Sequence, residues 1–273
     1  MYATYGDESY DEKQERVYAV AGLMTDERDW EDIQSRWLDV TGGKEFHASE
    51  GERTPEGRAL YKKLVQVLIR SKLFGWGAIM NLSGYSNALD RPVDELPHYF
   101  CFIEVIKEFA LRVRYLIPQD KVEFTFDRNL KTQYNCTFMY DYMVTLPEWS
   151  DRELVADRIA FSTRKNPKIQ AADLWAREVM KYGEECLKRN QPIMRGSFQA
   201  LEETDRFACA FFDASYFTDM RRKLIERREP GHSLNEYDAW REKHRMQDTT
   251  ENRIRYHIYL NMVEKSAGKK HDG

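Results

Sequence analysis

Tyr2-Ala3-Thr4-Tyr5-Gly6-Asp7-Glu8-Ser9 is the stretch around which the rest of the chain is organised. A short run of apolar and aromatic residues ends abruptly in two carboxylates and a hydroxyl, and a polar gap separates it from a second apolar segment at 16–24. This pattern predicts a β-hairpin whose first strand, at about residues 3–6, presents Asp7 at its end. Acidic residues at strand ends in the middle of a sheet are typical of metal-dependent phosphoryl-transfer sites. The question for the remaining sequence is which residues could be partners of Asp7.

Composition bounds the class of protein. The chain has 273 residues and a net charge of −4, so its overall charge makes no case for nucleic acid. Residues 220–273 hold 13 Lys and Arg against 9 Asp and Glu, which leaves −8 on the preceding part. A mildly basic C-terminal region on an acidic body is compatible with a phosphate-bearing partner and a metal-seeking cleft, and equally with a solvated helical surface.

The cysteines and the apolar runs bear on location. Cys101, Cys136, Cys186 and Cys209 form no C-x-x-C pair, and their spacing fits no zinc site, so we expect reduced thiols. There is no signal-peptide pattern, and no apolar run approaches about 18 residues. We therefore expect a cytoplasmic protein without a membrane segment.

Hydrophobic periodicity predicts strands that alternate with helices after the first hairpin. Thr54-Pro55 is typical of a helix start, and Pro118 of a helix stop. Segment 44–50 is predicted to be short and extended. Further strands are predicted at 72–82, 122–126 and 158–162, and the longer helices at 96–116, 131–144 and 167–187. Two strands in hairpin order followed by this alternation predict an α/β fold with a mixed sheet flanked by helices.

The chain changes character after the last of these helices. Residues 1–190 are predicted to form the α/β domain. Residues 197–265, including Phe211-Phe212, offer no strong strand and are predicted to form an all-helical extension. The small, charged end at 266–273 is predicted to be disordered.

Three acids occupy similar settings. Asp7 and Asp127 each follow a predicted strand, and Asp173 lies on a mostly apolar helix face that should turn toward the sheet. A buried carboxylate needs a partner, either a divalent cation shared with other acids or an Arg and hydrogen-bond network. Glu45 and His47, two apart on an extended segment, would point to the same side and could add an acid and an imidazole. Oxygen ligands of this kind suit Mg²⁺ or Mn²⁺, and two such ions about 3.5–4 Å apart can hydrolyse a phosphodiester. For each acid alone, a surface position or a salt bridge is the alternative.

A family resemblance adds to this interpretation. Asp7-Glu8-Ser9, Glu45-Phe46-His47, Asp127 and the helical Ile169-Gln170-Ala171-Ala172-Asp173-Leu174 resemble, in order and spacing, the domain of unknown function 3800 family over about residues 1–190. That family is similar in fold to the ribonuclease H-like superfamily. The resemblance implies a ribonuclease H-like sheet and a metal site of Asp7, Glu45, Asp127 and Asp173. Tyr10 departs from the Gly that often follows the Ser, which affects the turn more than the acids.

Roles follow as hypotheses. Asp7 would bridge the metal ions, Asp127 and Asp173 would each complete one site, and Glu45 would bind metal or orient water. His47 is either a proton shuttle or a half-buried structural histidine.

The neighbours of these residues receive lesser roles. Glu8 is expected to point away from Asp7, and Ser9 lacks the surroundings of a hydrolase nucleophile. Gln170 is expected to orient a ligand. Three cations before the late helix could meet phosphates or lie in a solvated loop, namely Arg164, Lys165 and Lys168.

Three functions are consistent with these residues. The first is a Mg²⁺- or Mn²⁺-dependent nuclease-like hydrolase acting on DNA or RNA. The second is a non-catalytic binding protein on the same fold, of a phage-defence or mobile-element system, whose helical extension contacts a partner or a second copy of the chain. The third is a transposase-like strand-transfer enzyme, which no separate DNA-binding motif supports.

Overall fold

The computed structural model describes residues 1–219 except 12, 14, 90–95, 117–119, 147–148 and 190. Six strands form one sheet: β1 (Tyr2–Tyr10), β2 (Val17–Asp26), β3 (Phe74–Asn81), β4 (Val122–Asp127), β5 (Ala160–Ser162) and β6 (Phe207–Phe212). Their order is β5-β4-β1-β2-β3-β6. The pairs β1–β2 and β2–β3 are antiparallel, whereas β1–β4, β4–β5 and β3–β6 are parallel. The predicted α/β class, a mixed sheet flanked by helices, is confirmed.

Helices cover both faces of the sheet. They are α1 (Glu27–Thr41), α2 (Ala48–Gly51), α3 (Pro55–Ile69), α4 (Leu82–Leu89), α5 (Leu96–Leu116), α6 (Gln133–Thr145), α7 (Pro167–Lys188) and α8 (Gly196–Glu202). One apolar core lies between the sheet and α5 and α6, and a second lies between the sheet and α1, α3 and α7. Helix α7 crosses β1, β2 and β3, and its stretch Ile169–Ala176 is buried throughout.

The helix starts follow from local chemistry. The side chains of Asp26, Thr54 and Asn166 each accept a hydrogen bond from a backbone N–H in the first turn of α1, α3 and α7. Proline occupies the first helical position of both α3 and α7. The Asn166 cap and Pro167 fix where α7 begins, and therefore where its buried face meets the sheet.

Strand β1 is longer than predicted. It does not end near Gly6, because Asp7, Glu8, Ser9 and Tyr10 continue the antiparallel ladder with β2. Polar side chains are compatible with a strand when a neighbouring strand supplies the backbone hydrogen bonds. Only the parallel ladder with β4 stops at Gly6, which pairs with Phe126.

The segment from Phe207 to Phe212 is a strand, so the prediction of an all-helical region from residue 197 is wrong here. A run of six apolar residues is too short for periodicity to separate helix from strand. The buried Phe207 ring packs over Gly75 of β3, where a Cβ would lie 2.3 Å from a ring carbon. The structure describes no residue after 219. The rest of the predicted extension to residue 265, its predicted role in self-association and the predicted disordered tail at 266–273 therefore lie outside the described residues.

Segment 44–50 also differs from its prediction. It joins no strand, and its last residues, Ala48-Ser49-Glu50, belong to the short helix α2. Two backbone N–H groups of this segment, those of Phe46 and Ala48, are bonded to side chains of α7 in place of a sheet neighbour.

Two further expectations concern membranes and thiols. In the described part of the chain, none of the helices is long and apolar enough to cross a bilayer. The four cysteines all lie in the described part of the chain and form no disulfide there, and Cys101 and Cys136 are buried.

Candidate acidic metal site

Asp7 and Asp127 are brought together by parallel strand pairing. Gly6 and Phe126 form the last pair between β1 and β4, and the next residue on each strand is an aspartate. Gly6 lies against the Phe126 ring so closely that a Cβ there would lie 2.4 Å from a ring carbon. The two acids therefore lie side by side just past the last residue pair of β4 and β1, which are interior strands of the sheet.

Asp7 is buried, with 1% of its surface exposed. Its Oδ1 accepts a hydrogen bond from the Glu8 backbone N–H at 2.7 Å, whereas Oδ2 is buried without a hydrogen-bond partner. Burial raises the pKa of Asp7 well above its ordinary value, and the charges of Asp173, Glu8 and Asp127 raise it further, while Arg164 lowers it. An unpartnered, buried carboxylate oxygen among other acids is a position that favours a cation or a proton.

Asp173 approaches the same place from α7. Its Oδ2 accepts hydrogen bonds from His47 Nδ1 at 2.7 Å and from the Ala48 backbone N–H at 2.9 Å. Asp173 thus fixes the orientation of the imidazole and the start of α2.

His47 is half-buried and bonded at both ring nitrogens. With its Nδ1 donating to Asp173, Nε2 accepts from the Ser49 hydroxyl at 3.0 Å and from Arg164 Nη1 at 3.4 Å. The resulting order of hydroxyl, imidazole and carboxylate makes Nε2 a proton acceptor at the rim of the acidic cluster. The contact between Ser49 and His47 is local, because the two residues are only two positions apart.

Arg164 is the cation among these acids. Its Nε lies 3.6 Å from Asp127 Oδ2, and its Nη1 reaches His47. Burial lowers the pKa of Arg164, but the charges of Asp7, Asp173, Asp127 and Glu8 outweigh that effect and raise it. The sequence left Arg164 as either a phosphate ligand or a loop residue. Its place two residues beyond β5, a parallel neighbour of β4, was the available signal.

Glu8 belongs to the electrostatic cluster, although sequence reasoning set it aside. Its Oε1 accepts a hydrogen bond from Asn129 Nδ2 at 2.7 Å, and burial raises its pKa. The pKa of Asp127 is likewise raised, first by burial and then by Glu8 and Asp173, against the lowering effects of Arg164 and the Arg128 backbone N–H. Strand alternation alone could not reveal this, because it gives the face of a residue and not its distance from a neighbouring charge.

Glu45 is placed in a cleft beside Asp127. It is exposed and lines a cleft of about 660 Å³ together with Asp127, Arg128, Leu130, Thr163, Arg164 and Lys165. The structure therefore places Asp7, Asp127 and Asp173 within electrostatic reach of each other, and Glu45 at the mouth of the cleft.

Gln170 connects the loops that carry the site. Its Oε1 accepts hydrogen bonds from Trp37 Nε1 at 2.9 Å and from the Phe46 backbone N–H at 3.2 Å. Its Nε2 donates to the Arg164 carbonyl at 2.7 Å. One buried side chain of α7 thereby holds both the segment that carries His47 and the loop that carries Arg164.

The donor chemistry fits a hard divalent cation. Asp7, Asp127 and Asp173 supply carboxylate oxygens, and the unpartnered Asp7 Oδ2 is the atom that a cation would satisfy. Within the described residues, however, no group of three or more His, Cys, Asp or Glu side chains is arranged to hold a metal ion.

Comparisons with known proteins give structural neighbours only. The sequence matches no protein-family model and no curated protein. One similar structure is a chain of the PCNA–RNase HII complex from Archaeoglobus fulgidus, with 13% identity, coverage of 84% of this chain and 92% of that chain, and a TM-score of 0.39. Another is Bst-RNase HIII in complex with Mn²⁺, with 13% identity, coverage of 83% of this chain and 71% of that chain, and a TM-score of 0.38.

Proposed function

We propose that this chain is a divalent-metal-dependent, nuclease-like hydrolase of phosphodiester bonds in nucleic acid, a cytoplasmic member of the domain of unknown function 3800 family with a ribonuclease H-like sheet. The observation that carries the proposal is Asp7 Oδ2, a buried carboxylate oxygen without a hydrogen-bond partner among three other acids. A protein gains nothing in stability from such an atom unless a cation or a proton satisfies it.

Each residue has a role in this proposal. Asp7, Asp127 and Asp173 would hold Mg²⁺ or Mn²⁺, and Glu45 at the cleft mouth would bind metal or orient the attacking water. Bound metal would supply an activated water and neutralise the leaving oxygen. His47 would accept a proton at Nε2 while Asp173 keeps its ring in place.

Arg164 would have two successive partners. In the structure its guanidinium neutralises part of the charge of Asp127 and contacts His47. A phosphate in the adjoining cleft would give the same side chain a second anionic partner, because Arg164 also lines that cleft.

The test is cleavage of labelled RNA, DNA and RNA–DNA hybrid with Mg²⁺ or Mn²⁺, with EDTA as the blank. Asp7→Asn and Asp127→Asn should each reduce cleavage by more than about 100-fold, because loss of a direct ligand should exceed the 10- to 100-fold cost of losing an outer-shell partner. Asp39→Asn, at an exposed acid of α1, is the matched control and should cleave like wild type.

Ser49→Ala separates this mechanism from attack by a serine. The variant should retain metal-dependent cleavage, since Ser49 only contacts the imidazole in the proposed mechanism. Full activity in both aspartate variants, or its loss in Ser49→Ala alone, would refute the proposal.

Two observations favour a second function, a non-catalytic nucleic-acid-binding protein of a defence or mobile-element system. Arg164 already supplies a positive charge beside Asp127, and the acids of the described residues form no ready metal-binding group. Nucleic-acid binding that is unaffected by EDTA, with no cleavage under any metal condition, would support this alternative.

A further inference from the structure

A second depression adjoins the cleft of the acidic site. It has a volume of about 490 Å³ and is lined by Arg128, Leu130, Gln133, Tyr134, Thr137 and Phe161. Arg128 and Leu130 also line the first cleft, so the two depressions form one continuous surface channel. We call it the β4–α6 groove; it leads from Asp127 along the loop after β4 to the first turn of α6.

The groove has the charge pattern of a phosphate-binding surface. Arg128, Arg164 and Lys165 line it, and Arg128 and Lys165 are exposed. Its two acids, Glu45 and Asp127, both lie in the first depression. Positive charge therefore continues from the acidic site into the second depression, where no acid contributes to the lining.

The second depression also exposes flat, apolar surface. Tyr134 is 70% exposed and Leu130 is 79% exposed, and the half-buried Phe161 lies in the same lining. An aromatic ring beside cations is the combination that binds unpaired bases, because every base offers a face to stack on while the cations follow the phosphates. A duplex would present phosphates, but its base faces are already stacked on one another.

We propose that the β4–α6 groove binds a single-stranded segment of nucleic acid, with a base stacked on Tyr134 and phosphates contacting Arg128 and Lys165. This inference rests on the proposed function, because it names the substrate class of that same site. Bases held on Tyr134 would place the adjoining phosphodiester at the Asp127 end of the groove.

The test is fluorescence anisotropy of the full chain with labelled oligonucleotides of about 15 nucleotides, in EDTA so that no cleavage occurs. A single strand should bind more tightly than its duplex. Tyr134→Ala should weaken single-strand binding by about 5- to 100-fold, and Tyr134→Phe should preserve it. Tyr115→Ala, at a tyrosine of α5 that is 77% exposed and does not line the groove, is the matched control and should bind like wild type.

Salt dependence tests the phosphate contacts separately. Arg128→Ala should reduce the slope of log affinity against log salt by about 0.7, as expected for one lost contact to a single strand. Lys63→Ala, at an exposed lysine of α3, should leave the slope unchanged.

The outcomes separate this inference from the proposed function. Duplex binding as tight as single-strand binding, or Tyr134→Ala binding like wild type, overturns the groove assignment even if the protein cleaves nucleic acid. Single-strand binding that depends on Tyr134 in a protein without metal-dependent cleavage upholds the groove and refutes the hydrolase.

Discussion

At the scale of the residue, the burial of Asp7 is the feature that the proposed metal site would explain. Its carboxylate is buried, one oxygen has no hydrogen-bond partner, and its neighbours carry the same charge. Because proteins pair or neutralise buried charges, such an arrangement costs free energy in the absence of a cation. Strain of this kind at one place is typical of a binding or catalytic site.

A pH prediction follows for the metal-free protein. A carboxyl group with a raised folded-state pKa contributes most stability when protonated, below its ordinary range, and that contribution is lost as pH rises through the raised value. In EDTA, wild type should therefore lose free energy of unfolding relative to Asp7→Asn as pH rises through this window. Urea denaturation at a series of pH values measures the difference.

Two comparisons check that prediction. Asp39→Asn, at an exposed acid, should follow the wild-type curve, and Mn²⁺ should restore the stability of wild type but not of Asp7→Asn. If wild type and Asp7→Asn have parallel curves, Asp7 is not the strained acid that its surroundings indicate.

At the scale of the element, α7 does most of the positioning. It carries Asp173 and Gln170 on its buried face, and its first turn is fixed by Asn166 and Pro167. Gln170 bonds Trp37, Phe46 and the Arg164 carbonyl, so one side chain sets the distance between two loops of the site. Helix α7 is therefore the rigid support for residues that lie on irregular backbone.

Replacing Gln170 tests that support. Gln170→Ala should lower the free energy of unfolding by about 2–4 kcal/mol, because it leaves buried polar groups of Trp37, Phe46 and Arg164 without their partner. It should also weaken Mn²⁺ binding by about 10- to 100-fold, as expected when a ligand-positioning residue is lost. Urea denaturation and Mn²⁺ titration measure the two effects.

The matched variant is Gln199→Ala, at an exposed glutamine of α8 whose amide donates to the Glu203 side chain. It should change stability by less than about 0.5 kcal/mol. Equal stability of the two variants would mean that Gln170 does not hold the loops together.

Local sequence patterns were informative for most elements and failed where tertiary pairing decides. Thr54-Pro55 marked the start of α3, and the alternation of 122–126 marked β4, because these signals are local. Strand β6 was missed because its conformation is set by pairing with β3 and by the contact between Phe207 and Gly75. Segment 44–50 was predicted to be extended throughout, but its last residues, 48–50, belong to helix α2, a single helical turn too short for periodicity to reveal.

At the scale of the whole molecule, the order of the strands creates the site. Because β1 lies between β2 and β4, Asp7 lies in the interior of the sheet, and parallel pairing places Asp127 beside it. The sequence could name Asp7, Asp127 and Asp173 as candidates, but it could not show which other charged side chains lie beside them. Arg164 joins the cluster because β5 pairs with β4 and β4 pairs with β1, and Glu8 of β1 is bonded by Asn129 from the loop after β4. No local pattern contains these contacts between distant segments.

The groove and the acidic site share the loops that follow β4 and β5. In the proposals above, the metal, the base-stacking surface and the phosphate contacts would therefore all lie at the ends of β4 and β5.

The central claim is that Asp7 belongs to a metal site, and anomalous diffraction from crystals grown with Mn²⁺ tests it most directly. We predict an anomalous peak about 2 Å from Asp7 Oδ2, with a second carboxylate oxygen from Asp127 or Asp173 on the same ion. An absence of any peak near Asp7, with Arg164 still beside Asp127 and the Asp7 oxygen still unpartnered, would contradict the account.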